Sequence, residues 1–163
     1  MGPTKISGLP AHVLLVHLVI EAVPIASLVV IVCAVWPAAR RRVGIILPII
    51  VLGALITVPI TTNAGKWLQA QVASTPLIRK HVALGKQMLP WMIGLFLVAV
   101  LIWVWERSAT RQNAAALHGP AAKIVVGVIA VAMSIGALQQ VIRTGEAGSR
   151  ALWTGNFSQQ PRQ

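Results

Sequence analysis

The sequence predicts an all-α protein: a polytopic transmembrane four-helix bundle whose helices run past the membrane on the side bearing both chain ends. Three observations predict it. Of the 163 residues, 56% are hydrophobic and only 10% are charged, whereas a water-soluble domain carries about 25% charged residues on its surface. Four stretches, residues 6–39, 43–65, 87–105 and 124–142, contain no charge except Glu21. Each is close to or above the ~20 residues that cross ~30 Å of hydrocarbon. Tryptophans stand at or near the ends of these stretches: Trp36, Trp67, Trp91, Trp103, Trp105 and Trp153. With no tyrosine present, they read as the aromatic belt of the membrane interface.

The elements follow in order as one transmembrane domain over residues 1–163. The spans are expected at about 11–36, 43–65 continuing to 73, 76–106, and 121–143 continuing to 153, with a flexible tail at 154–163. Lys5 ahead of an apolar run has a faint signal-peptide look. That run continues to Trp36 with no small-x-small cleavage site, so a retained span is expected. Pro24, Pro48, Pro59 and Pro90 fall inside predicted helices, which membrane bundles tolerate when neighbours satisfy the freed carbonyls. No internal repeat stands out. Gly127, Ala130, Ser134 and Ala137 form a stripe of small residues suited to close helix packing.

Four crossings place both ends on one side, here side A. Side B carries Arg40–Arg42 and the connection from Arg107 to Lys123. The cation counts of the two sides do not decide orientation, but the triple arginine directly against the membrane favours a cytoplasmic side B. The chain ends are then extracytoplasmic. The formal net charge of +11 is spread between apolar runs. Anionic lipid headgroups are therefore the expected partners, and nucleic acid is not. Respiratory-complex subunits or a second copy of the chain are the further partners considered. The lone Cys33 supplies neither an intramolecular disulfide nor a thiolate metal site.

Depth counting at 1.5 Å per residue makes all four spans polar at the side A end. His17 and Glu21 fall at and just inside the boundary, four apart and so on one helical face. Thr61, Thr62, Asn63 and Lys66 gather at the end of the second span. The third crosses the boundary near Gly85, with His81 a turn outside. The fourth brings Gln139 and Gln140 just inside, Arg143 to the boundary and Glu146 beyond. The expected polar cluster is Glu21, Thr62, Asn63, Lys66, Gln140, Arg143 and Glu146. A structural role, with Glu21 paired to Lys66 or Arg143, is one expectation. The alternative is a haem b site with His17 and His81 as axial ligands from facing helices. A third is a small-molecule or lipid pocket lined by Thr62, Asn63, Gln140 and Arg143. His12 is expected to be interfacial and His118 to sit in the side B connection. No catalytic motif or paired carboxylates occur, and no metal site beyond haem is expected.

Several segments resemble a known family. Gly8-Leu9-Pro10-Ala11-His12, followed by His17 and Pro24, is similar to the opening of the bacterial membrane family called domain of unknown function 2231. Ala64-Gly65-Lys66-Trp67-Leu68 resembles its segment after the second span, with Lys66 in place of an acid. His81-Val82-Ala83-Leu84-Gly85 with Leu89-Pro90-Trp91 resembles its third-span entry. Residues Arg143 to Trp153 resemble its Gly-rich ending, with Glu146 where relatives often carry His or Asp. The resemblance implies four helices, a bacterial source of actinobacterial type and an inner-membrane location. It implies no activity, although some relatives resemble membrane parts of Rieske-type proteins. The two departures suggest a charge swap in which Lys66 pairs with Glu146.

Overall fold

A computed structural model describes residues 4–108 and 119–155. His118 and most of the tail lie outside the described residues. A short antiparallel hairpin, β1 (Lys5–Ile6) and β2 (Leu9–Pro10), leads into α1 (Ala11–Val35). There follow α2 (Pro37–Val43), α3 (Ile46–Gln69), α4 (Pro76–Ser108) and α5 (Pro120–Trp153). Four of these helices, α1, α3, α4 and α5, are long and apolar enough to cross a membrane. The all-α four-helix bundle is thus present.

The helices pack in the cyclic order α1, α3, α4, α5, so that α1 and α4 are diagonal to each other, as are α3 and α5. Antiparallel neighbours follow from the short connections. The core is built mainly of small and β-branched residues, with Ala26, Val30, Val51, Val58, Ala99, Ala130 and Ala137 buried along the bundle beside the larger Leu47, Met92 and Leu95. Leu28, Leu97, Val128 and Ile135 lie on the outside. An apolar exterior as greasy as the core is what lipid contact requires, and it leaves little amphipathic contrast for periodicity to reveal.

The small-residue stripe of α5 is divided. Ala130, Ser134 and Ala137 are fully buried within the bundle, while Gly127 is half-buried. Ser134 donates to the Ser27 carbonyl of α1 at 3.3 Å. The stripe is therefore used, at these three residues, in packing inside the chain.

At side B, residues 37–43 form a short helix, with Pro37 at its first position, where a missing N–H costs nothing. This end also carries a shielded ion pair. Arg40 Nε donates to Glu106 Oε2 at 2.6 Å, with side-chain exposures of 13% and 24%. Its Nη1 reaches the carbonyls of Cys33 and Ala34 at 3.2 and 3.3 Å, and its guanidinium lies 5.9 Å from the Trp105 ring centroid. One arginine thus satisfies the orphan carbonyls at the C-terminus of α1, where a cation is favoured, and ties α2 to α4.

Trp91 departs from the belt expectation. It is half-buried and packs on the core, its ring against Gly136 of α5. Trp36 and Trp153 are exposed, as interface anchors are.

Candidate functional site

The polar end of the bundle is organised around two histidines. His12 is in the first turn of α1 and His81 in the second turn of α4. Although their helices are diagonal, the imidazoles meet, with ring centroids 6.0 Å apart and planes at 75°. Each ring is fixed by the helix beside it. His12 Nδ1 donates to the Thr61 carbonyl of α3 at 2.9 Å. His81 Nδ1 donates to the Thr144 carbonyl of α5, also at 2.9 Å. A carbonyl can only accept, so Nδ1 carries the proton and a neutral ring keeps its lone pair on Nε2.

Why a helix carbonyl is open to a second donor is written in the local sequence. A helical C=O points along the axis toward residue i+4, whose N–H it accepts. Position i+4 is Gly65 after Thr61 and Gly148 after Thr144. A Cβ at Gly65 would stand 2.9 Å from His12 Nδ1, and one at Gly148 3.0 Å from His81 Nδ1. The missing side chain is the seat on which each ring lies. Ala64 and Ala147, one residue earlier, are buried and small, which helps the helices approach.

The two halves of the site repeat each other. His12-Val13-x-Leu15 with Thr61-x-x-Ala64-Gly65 corresponds to His81-Val82-x-Leu84 with Thr144-x-x-Ala147-Gly148. In both, the threonine hydroxyl returns to the carbonyl four residues back: Thr61 to Thr57 at 2.7 Å and Thr144 to Gln140 at 2.8 Å. In both, the carbonyl three residues after the histidine accepts a bond from the adjacent helix. Leu15 accepts from Thr61 Oγ1 at 3.4 Å, and Leu84 from Gln140 Nε2 at 2.8 Å. An approximate two-fold axis along the bundle thus relates α1 and α3 to α4 and α5. The correspondence lies in these contacts, and still no internal repeat stands out in the sequence. The chain between histidine and threonine motif is longer in the second half, so no constant offset aligns the copies.

The other expected site residues are only partly brought together. His17 is exposed and its Nδ1 bonds to the Val13 carbonyl of its own helix at 2.8 Å. The imidazole that meets His81 is that of His12, which was expected to be merely interfacial. Position five before His17 turns α1 by more than a full turn, enough to face the interior instead of the perimeter. Glu21, Asn63 and Lys66 are exposed, and no ion pair joins Glu21 to Lys66 or Arg143 among the described residues. Thr62 bonds back to the Val58 and Pro59 carbonyls at 3.0 and 3.1 Å. Gln140 is buried and braces Leu84.

Arg143 and Glu146 do share a groove, between α4 and α5 on the outside of the bundle. Glu146 pairs there with Arg150 at 2.6 Å, one turn along its own helix, and not with Lys66. Of the residues expected to line a shared pocket, Arg143 lines the groove between α4 and α5, while Thr62 and Asn63 belong to α3, diagonal to α5, where Thr62 is half-buried and Asn63 exposed. Lys5 of the hairpin lies 5.5 Å from the Trp67 ring centroid, fastening β1 to the end of α3.

Among the described residues no group of three or more His, Cys, Asp or Glu side chains converges as a metal site. Comparison of the chain with protein-family models, curated proteins and solved structures gives no match. The resemblance to the domain of unknown function 2231 family accordingly rests on the short motifs quoted above.

Proposed function

We propose that the protein is an accessory component of a respiratory membrane complex and a membrane-embedded haem b carrier for electron transfer, in which His12 and His81 would hold the haem. The observation that carries this reading is the meeting of two carbonyl-pinned imidazoles from diagonal helices, 6.0 Å apart between centroids. Histidines that ligate metals characteristically donate their other N–H to a backbone carbonyl or carboxylate, which sets tautomer and ring direction. Two imidazoles with their Nε2 lone pairs undonated are what this site would offer a haem iron. When bound, the haem supplies one-electron redox chemistry. The chain's own part is to hold the two rings, exclude water with an apolar core below them, and place cations at the membrane boundary. Location in a bacterial inner membrane, with the chain ends outside the cytoplasm, belongs to the same reading.

A second reading is favoured by the same hydrogen bonds. Because each Nδ1–H is satisfied by a neighbouring helix, the histidines also work as staples between α1 and α3 and between α4 and α5. The protein would then be a purely structural membrane component. An absorption spectrum separates the two. Purified from membranes of haem-replete cells, the wild-type protein shows a Soret band that His12→Ala and His81→Ala abolish and His17→Ala retains. A colourless wild-type protein overturns the haem reading and leaves the staples.

A further inference from the structure

On the outer wall of the bundle at side A, α4 and α5 enclose an open groove of about 450 Å³. Its floor is apolar, made by Leu77, Leu84 and Ala147, and its rim carries Lys80, Arg143, Arg150 and Glu146. The single carboxylate is engaged by Arg150, which donates from both Nε and Nη2 at 3.1 and 2.6 Å. Among the described residues no carboxylate lies within ion-pair distance of Lys80 or Arg143. By helical rise, Leu84 and Arg143 stand at the hydrocarbon boundary and Lys80 about one turn, ~5.4 Å, above it. Leu77 and Ala147 stand farther out than Lys80 and Arg143, so the apolar contact offered to a chain in the bilayer is Leu84, at the boundary beneath Lys80, with the two uncompensated cations at the height of a phospholipid headgroup.

We propose that this groove binds an anionic membrane phospholipid, with its phosphate between Lys80 and Arg143 and an acyl chain descending past Leu84. Phosphate oxygen is the recognised chemistry, and a basic group near an anionic headgroup is the standard source of such attraction. Free phosphate shares that chemistry but makes no use of the apolar floor, which is why the lipid is the occupant assigned. The Glu146–Arg150 pair holds a third cation in reserve and limits the net positive charge of the rim. This inference does not depend on haem.

The test is native mass spectrometry of the full chain in detergent micelles doped with phosphatidylglycerol or phosphatidylcholine. Phosphatidylglycerol is retained preferentially by the wild type. Lys80→Gln and Arg143→Gln, at exposed positions where folding is not at risk, each reduce its retention about five-fold, the worth of one basic residue beside an anionic surface. Glu146→Gln, which frees Arg150, increases it. Arg41→Gln with Arg42→Gln, at the opposite end of the bundle, leaves it unchanged. Equal retention of the two lipids, or no loss in the Lys80 and Arg143 variants, overturns the proposal. Inorganic phosphate that displaces phosphatidylglycerol completely at equal concentration overturns the assignment to lipid.

Discussion

His12 and His81 lie in different halves of the chain and on diagonal helices, yet their rings meet with centroids 6.0 Å apart, each seated on a glycine of the helix between. The contact exists because the bundle is narrow there. Gly65 with Ala64, and Gly148 with Ala147, let α3 and α5 come close enough for an imidazole to reach a helix carbonyl. Whatever the rings bind, these glycines set the spacing.

Gly65→Ala therefore destabilises the protein. Overpacking costs about 1–3 kcal/mol, and the gain in helix propensity from replacing glycine is only ~1 kcal/mol. The Cβ would press within 2.9 Å of a ring atom held by a hydrogen bond. Gly145→Ala is the control, since nothing lies within 4 Å of its added Cβ, and it stabilises by up to ~1 kcal/mol. Unfolding in mixed micelles reads both. A stabilised Gly65→Ala protein would show that the seat is not tight.

The two acid–arginine pairs differ in worth. Arg40 and Glu106 are largely shielded, and the arginine also serves two carbonyls. Glu106→Gln is expected to cost about 1–3 kcal/mol, below the 3–5 kcal/mol of a fully buried pair. Arg150 and Glu146 are 67% and 58% exposed, and Glu146→Gln changes stability by under ~0.5 kcal/mol. If Glu106→Gln proved as harmless as Glu146→Gln, the side B clasp would have no structural weight.

Gln139 and Gln140 are adjacent in sequence and opposite in consequence. Gln140 is buried and donates across to α4, while Gln139 is exposed. Interhelical hydrogen bonds in lipid contribute ~0.6 kcal/mol on average and up to ~1.7 kcal/mol, so Gln140→Leu should lose stability in that range and Gln139→Leu none. Equal effects would mean that the Leu84 carbonyl has no need of its donor.

The ligand prediction is positional. Haem incorporation, read as the Soret absorbance per protein, is lost in His12→Ala and in His81→Ala alike. It survives His17→Ala, whose ring is turned outward on its own helix. Dependence on His17 instead of His12 would contradict the geometry.

The polar end of the bundle was legible from depth alone. Counting from the charged boundaries places Thr61, Gln140, Arg143 and His81 within about one turn of the side A boundary, and that is the end of the bundle where the site lies. The azimuth of each side chain was not legible. His12 and His17 are within two turns of each other, and in a helix apolar on every face nothing in the residue pattern tells inside from outside. The same loss hid the outward placement of Glu21 and Lys66 and the packing role of Trp91.

The amino-acid sequence by itself determined that the chain forms four helices apolar and long enough to cross a membrane and that histidine, threonine and glutamine side chains gather toward one end of them. These follow from hydropathy, which sums along a chain and needs no partner. The tertiary structure decided which histidines meet, that Arg40 clasps Glu106, and that the chain is built from two corresponding halves. Those depend on helix rotation and on which small residues let two backbones touch, and rotation is set by contacts between segments far apart in sequence.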